Sequence, residues 1–192
     1  MPRKAILISG LPGAGKSVLV EAARSLKLPV FAMGDVVREE AKKRGLMKTA
    51  ENLRAIALKL RQEYGPQIIA EMIVNKIMKE ASRSEVVLID GVRSWDEVEY
   101  FNKTFNETIL ISVHAPRKVR FQRLLKRGRS DDPKTWKEFV ERDERELNLG
   151  MGKVIALSDI IFLNYSESKE EAIKEAKNLL MRVIKRGDRS EG

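Results

Sequence analysis

The sequence predicts an α/β fold in which helices flank a five-stranded, largely parallel sheet. Three observations carry that expectation. Short apolar runs rich in β-branched residues recur at 5–9, 29–33, 86–90, 108–113 and 159–163. Stretches with helical apolar spacing separate them, the alternation that builds parallel sheets through helical crossovers. A glycine-rich loop joins the first run to the first helical stretch. It sets a helix N-terminus at the carboxyl edge of the sheet, where ligands of such folds gather.

That loop is the sharpest signal in the chain. Gly10-Leu11-Pro12-Gly13-Ala14-Gly15-Lys16-Ser17 satisfies G-x-x-x-x-G-K-[ST] at every fixed position, which specifies the P-loop NTP hydrolase fold and a nucleoside triphosphate. The glycines let successive backbone N–H groups turn inward around an anion. Lys16 then reaches the β- and γ-phosphates, and the Ser17 hydroxyl takes a place on Mg²⁺. The dinucleotide fingerprint is not met, because Val18 stands where G-x-G-x-x-G starting at Gly13 requires glycine. From Ser17 onward, Val18, Leu19, Ala22, Ala23 and Leu26 share a helical face.

The second run leads into Met33-Gly34-Asp35-Val36-Val37-Arg38-Glu39-Glu40, a turn followed by a helix. Asp35 either caps that helix or faces an acceptor with Arg38. In the second case Arg38 holds the acceptor's phosphate, and Asp35 positions the acceptor or takes a proton from its hydroxyl. Residues 34–83 exceed a single crossover and carry helical spacing at Leu53, Ile56, Ala57 and Leu60 and at Ile68, Ile69, Met72 and Ile73. They are expected to form a helical acceptor-binding insertion. The third run ends in Asp90-Gly91, which is either a strand-ending turn or the carboxylate that stands beside Mg²⁺ in P-loop enzymes. Arg93 either lies on the surface or holds a second phosphate with its planar fork.

The fourth run ends at His114, expected to be a packed side chain. Residues 116–158 form a second helical insertion, a candidate short lid, opening with Arg117, Lys118, Arg120, Arg123, Lys126, Arg127 and Arg129. Most of that run is expected to be a solvated face. Arg127-Gly128-Arg129-Ser130-Asp131-Asp132-Pro133 differs: a tight turn presents two arginines before a helix that Asp132 caps, with Pro133 at its first position. Such a turn can close Arg127 and Arg129 over a transferring phosphate. Arg142 and Arg145 either approach from the other side or pair with Glu141, Asp143, Glu144 and Glu146. The last helix, about 169–185, places Ala172, Ile173, Ala176, Leu179, Leu180 and Val183 on one face against the sheet. The tail after Gly187 is expected to fray.

Composition narrows the classes. A chain of 192 residues suits one domain over 1–192 with its own core. The absence of cysteine and a single histidine exclude disulfides, thiolate metal sites and histidine clusters. No segment reaches membrane-spanning length, and 5–9 is too short for a signal-peptide core, so the chain is expected to be cytoplasmic, without a membrane partner. A formal charge of +9 and a pI near 9.7 favour anionic partners, either nucleotides or nucleic acid.

Taken together, these residues resemble the P-loop nucleoside monophosphate kinase family, adenylate kinase and its relatives, over nearly the whole chain. The family's Gly-Asp-x-x-Arg acceptor motif matches Gly34, Asp35 and Arg38, and its strand ending in Asp-Gly with a nearby arginine matches Asp90, Gly91 and Arg93. Its short arginine lid followed by Asp-Asp matches Arg127, Arg129, Asp131 and Asp132, with Arg142 on the next helix. The stretch Ser158-Asp159-Ile160-Ile161-Phe162-Leu163-Asn164, followed by Ser-Glu-Ser, is similar to the last strand and turn of dephospho-coenzyme A kinases. There the loop lies against the adenine, which implies a nucleotide contact for Asn164. Met-Gly-Asp-Val-Val-Arg-Glu together with Asp-Gly-Val-Arg-Ser resembles an archaeal adenylate kinase-related group, which implies no particular acceptor. Two departures stand out. The family's Asp-Gly-Phe-Pro-Arg is shortened to Asp-Gly-Val-Arg, and Ser94-Trp95-Asp96-Glu97 lacks the glutamine that reads the acceptor base. The lid is also without the cysteines of zinc-bearing lids.

The expectation is a phosphotransferase moving the γ-phosphate of Mg·ATP to a nucleoside monophosphate or nucleotide-like acceptor. Lys16, Arg93, Arg127, Arg129 and Asp35 carry the chemistry. Residues 10–17 and Asn164 hold the nucleotide, and Gly34, Asp35, Arg38, Arg93 and Arg142 hold the acceptor, a small phosphorylated molecule. Ser17 and Asp90 hold Mg²⁺. The alternative is a slow P-loop ATPase or switch acting on RNA or a ribonucleoprotein.

Overall fold

The computed structural model describes residues 1–129, 132–165 and 168–185. Five parallel strands, β1 (Lys4–Ser9), β2 (Val30–Ala32), β3 (Val86–Asp90), β4 (Glu107–His114) and β5 (Ile160–Leu163), form one sheet in the order β2-β3-β1-β4-β5. β1 is buried along its whole length, so an unbroken apolar run is what a strand covered on both faces requires. Its alternate residues enter different layers. Ile6 and Ile8 pack with helices α1 (Ser17–Ser25) and α9 (Lys169–Lys185). Ala5 and Leu7 pack with α4 (Ile68–Glu80) and α5 (Trp95–Thr104), where Phe101 is fully buried.

The strand order reverses at β1, whose neighbours are β3 and β4. A crevice opens outside the carboxyl ends at such a switch point, and the register Ile8↔Asp90 puts Asp90 level with the start of the glycine loop.

The first insertion consists of α2 (Met33–Lys43), α3 (Ala50–Tyr64) and α4. β2 is shorter than its apolar run because Met33 already belongs to α2. Asp35 does not cap that helix: Ala32 is the cap residue, and Asp35 sits inside the first turn, where a carboxylate complements the helix dipole. In α3, Thr49 supplies the cap, its Oγ1 accepting from Asn52 N at 3.2 Å, and Ile56 and Leu60 are buried as their spacing requires.

The second insertion starts with α6 (Arg117–Arg127), which ends on Gly128 in the left-handed conformation at φ +61°. The following helix, α7 (Trp136–Glu146), starts later than expected. Thr135 caps it, accepting from Glu138 N at 3.2 Å, because the Asp132 carboxylate is engaged by Arg127 and by the Arg129 N–H. Ser130 and Asp131 of the lid motif lie outside the described residues, as do Ser166, Glu167 and the tail after Lys185. A π-helical turn, Leu147–Met151, joins α7 to α8 (Gly152–Ala156), with Gly150 at φ +99°. His114 is exposed at the end of β4 rather than packed. No described helix is long and apolar enough to cross a membrane.

Phe101 joins α5 to the layer on the Ala5/Leu7 side of the sheet, with Phe105 at 6.3 Å between ring centroids. Phe101→Ala is expected to lower stability by about 3–5 kcal/mol, measured as a shift in the urea midpoint at unchanged m-value.

Candidate functional site

The loop between β1 and α1 is shaped from outside. Arg120 Nη1 donates to Pro12 O at 3.1 Å, and Arg123 Nη1 donates to Ala14 O at 3.2 Å. Asn164 Nδ2 reaches Ala14 O at 2.9 Å and Gly15 O at 3.3 Å. In a trans peptide the carbonyl and the following N–H point opposite ways. Carbonyls drawn outward therefore turn the N–H groups of Gly13, Gly15 and Lys16 to the concave side, which is the anion nest. Close approach makes the glycines obligatory. A Cβ on Gly13, at φ +81°, would lie 2.6 Å from Arg120 O, and one on Gly15, at φ +90°, would lie 2.1 Å from Asn164 Nδ2.

Lys16 precedes α1, whose first turn carries no acidic side chain, so the positive end of the helix is left for a ligand. The ammonium donates to Gly10 O at 3.0 Å. Burial pulls its pKa below the ordinary lysine value, and Asp90 and Glu146 push the other way. Ser17 is exposed at the mouth of the loop.

Asp90 closes β3 beside the loop. Burial raises its carboxyl above the usual range, against the pull of Lys16 and Arg93, and its buried Oδ1 has no hydrogen-bond partner among the described residues. A buried carboxylate oxygen without a donor is costly, and it fits a hydrated cation held mainly by phosphates. Mg²⁺ takes one or two carboxylates in such sites and needs no protein cage. The described residues contain no cluster of three metal-ligating side chains.

The acceptor candidates lie along the same edge. Arg38 Nε donates to Asp35 Oδ1 at 3.2 Å, so the two form one pair on the first turns of α2. A Cβ on Gly34 would come within 3.0 Å of Arg38 Nη1. Arg93 follows β3, its backbone N–H donating to Glu97 Oε2 at 2.8 Å and its Nη1 standing 3.4 Å from Glu146 Oε1. Glu97 forms a capping box with Ser94 and also binds Arg61 Nη2 at 2.8 Å. At 1% exposed, it is committed to the protein interior.

The lid arginines gather on Asp132. Arg127 Nε donates to Oδ2 at 2.8 Å, the Arg129 N–H reaches Oδ2 at 3.1 Å, and Arg142 Nη1 reaches Oδ1 at 3.2 Å. Burial opposes the charge of Asp132, but these donors outweigh it and hold the carboxyl below its usual range. A cleft of about 340 Å³ separates this cluster from α3, with Arg54, Glu51, Arg142 and Arg145 on its walls.

The basic run of α6 is only partly a solvated face. Arg120 is 3% exposed, forms two bonds with Asp143 at 2.8 and 2.5 Å, and stacks 4.9 Å over the Phe139 ring. Composition did not single out Arg120, Arg123, Asp143, Glu97 or Glu146. Only the Ser94-x-x-Glu97 capping box had a local signal. Asn164 is buried against the loop backbone, so its amide shapes the loop from behind.

Two consequences are measurable. Gly13→Ala, which drives a methyl group into the Arg120 carbonyl, is expected to abolish detectable Mg·ATP binding in calorimetry while the far-UV spectrum stays unchanged. For Asp90, the folded pKa is raised, so between the ordinary carboxylate pKa and the folded one the native state holds the extra proton and stability falls as pH rises. Asp90→Asn is expected to remove that slope in denaturation series across pH and to be more stable at neutral pH.

Residues 9–139 match the AAA domain family. Three similar chains are each described as a UPF0200 protein. The one from Hyperthermus butylicus is 48% identical, covering 96% of this chain and 97% of its own. The one from Pyrococcus furiosus is 52% identical over 83% and 87%, and the one from Methanocaldococcus jannaschii is 44% identical over 92% and 89%. Among solved structures, TT1252 from Thermus thermophilus superposes with a TM-score of 0.66 at 18% identity, over 95% of this chain and 98% of its own. A shikimate kinase from Acinetobacter baumannii superposes with a TM-score of 0.59 at 15% identity, over 97% and 95%. A gluconokinase from Sinorhizobium meliloti gives 0.59 at 15%, over 99% and 98%. The fold is the P-loop kinase fold.

Proposed function

Because the chain belongs to the UPF0200 family and carries an AAA domain with the P-loop kinase fold, we propose that it is a phosphotransferase acting from Mg·ATP. Its acceptor is a nucleoside monophosphate or a nucleotide-like phosphorylated molecule. One observation supports this above the others. At the switch point of the sheet, a loop with its carbonyls tied outward, a half-buried Lys16 and the Oδ1 of Asp90, unpartnered among the described residues, converge.

In this reading the loop N–H groups and Lys16 hold the β- and γ-phosphates. Ser17 and Asp90 would hold Mg²⁺, which would supply charge neutralisation on the phosphate oxygens. Arg38 and Arg93 align the acceptor so that its oxygen attacks the γ-phosphorus in line; the new P–O bond forms as the bond to the β–γ bridging oxygen breaks and ADP leaves. Arg127 and Arg129 close over the transferring group, and Arg142 closes from α7. Arg38, Arg93, Arg127 and Arg142 must change partners to do so, because their guanidinium groups already contact carboxylates. If the acceptor oxygen belongs to a phosphate, it needs no base; if it belongs to an alcohol, Asp35 receives the proton. The working unit is residues 1–192 with arms at 34–83 and 116–158, operating in the cytoplasm where ATP is abundant. The RNA-switch alternative is less well supported, because Arg120 and Arg123 of the basic run are turned onto the loop.

The test is ADP release from Mg·ATP across AMP, CMP, UMP, GMP, dephospho-coenzyme A and no acceptor. One acceptor is expected to raise the rate well above background, with Lys16→Ala abolishing it. Uniform slow hydrolysis across the panel would replace the kinase with an ATPase. On the active acceptor, Arg38→Ala is expected to cost about 10–100-fold in kcat/KM, the worth of a charge-assisted hydrogen bond. Asp35→Asn separates the acceptor types, because only an alcohol acceptor loses kcat with binding intact.

A further inference from the structure

Glu146 is the last residue of α7 before the π-helical turn. That turn lies against the exit of β3, where a Cβ built on Gly150 would stand 3.9 Å from the Cα of Ser94. The carboxylate is thereby brought to Arg93, with Oε1 3.4 Å from Nη1 and a side chain 12% exposed. Its other oxygen, Oε2, is buried and has no hydrogen-bond partner among the described residues. Glu146 also lies near enough to Lys16 to favour its charged form.

Stability alone does not account for this arrangement. An arginine–carboxylate contact of one long bond contributes little, and a buried oxygen without a donor is unfavourable. The pair also joins two parts of the chain, α7 of the second insertion and the segment following β3. We propose that Glu146 is a built-in counter-ion that occupies, on Arg93, the binding position of the acceptor's anionic group, and that acceptor binding displaces it. The proposal rests on the reading of Arg93 as an acceptor ligand. A tethered carboxylate competes at a high effective concentration, so anions with no other contact are held off Arg93. An acceptor seated in the cleft can displace it, because a phosphoryl group offers the guanidinium fork two parallel bonds where Glu146 offers one. The exchange releases only the Glu146 end of α7 from Arg93, because Asp143 keeps the helix on Arg120.

Inorganic phosphate serves as the probe, titrated by calorimetry into protein saturated with a non-hydrolysable Mg·ATP analogue that fills the loop. The proteins are wild type, Glu146→Gln, Arg93→Ala and the double variant, each checked by thermal unfolding. Glu146→Gln, which keeps the shape and removes the charge, is expected to tighten phosphate binding about three- to tenfold. In the Arg93→Ala background the same change is expected to have no effect. Unchanged or weaker binding in Glu146→Gln would overturn the proposal, as would full-sized tightening without Arg93, which would make Glu146 a diffuse charge rather than a competitor for one site. If the analogue does not bind wild type, the donor-site reading fails separately, and the same four titrations without it still decide the role of Glu146.

Discussion

The site depends on which way a few peptide carbonyls point. An anion nest needs N–H groups on its concave side, and a backbone left to itself has no reason to keep them there without a ligand. Here Arg120, Arg123 and Asn164 hold the opposite side of the loop through the carbonyls of Pro12, Ala14 and Gly15. Arg120 can do so because Asp143 and the Phe139 ring fix its guanidinium in a buried setting. A buried arginine without that carboxylate would be strongly unfavourable. The contact that neutralises Arg120 therefore also sets the shape of the loop, and through Asp143 it connects the loop to α7.

The remaining charges follow one pattern. Arg38 contacts Asp35, Arg93 contacts Glu146, and Arg127 and Arg142 contact Asp132. Cations suited to phosphate oxygens are each matched by a carboxylate, so an edge of the sheet crowded with positive charge is tolerable without ligand. Asp90 is the exception. It stands beside Lys16 with an oxygen that no described residue engages and a carboxyl pushed toward its neutral form by burial, the kind of locally unfavourable arrangement that sites built for a ligand retain.

Much of this was legible in the sequence because the physics behind it is local. Strands covered on both faces need continuous apolar runs, and each of the five runs became a strand within a residue or two. The loop pattern, Asp90, Arg38 and the turn at Gly128 depend on short-range geometry, which places Asp90 at the end of β3, Arg38 in α2 and Gly128 after α6. What could not be read depends on contacts between distant segments. Arg120 looks like Lys118 or Lys126 in sequence, and nothing nearby shows that Asp143 will neutralise it or that Pro12 will accept from it. The start of α7 differs from its sequence expectation for a related reason: Asp132 has the residue type of a cap, but Arg127 and Arg129 claim its oxygens and leave the role to Thr135. The π-helical turn had no readable signal beyond one glycine.

The strand order carries a further meaning for how the chain matures. β1 pairs with β3 and β4, so its partners arrive roughly eighty and one hundred residues later. Asn164 closes the back of the loop from 150 positions away. Pairings of such long sequence separation are intrinsically slow to form. The glycine loop, although near the start of the chain, thus owes its working shape to segments that lie far along the sequence, and a chain lacking β4, α6 or Asn164 would lack the contacts that hold it.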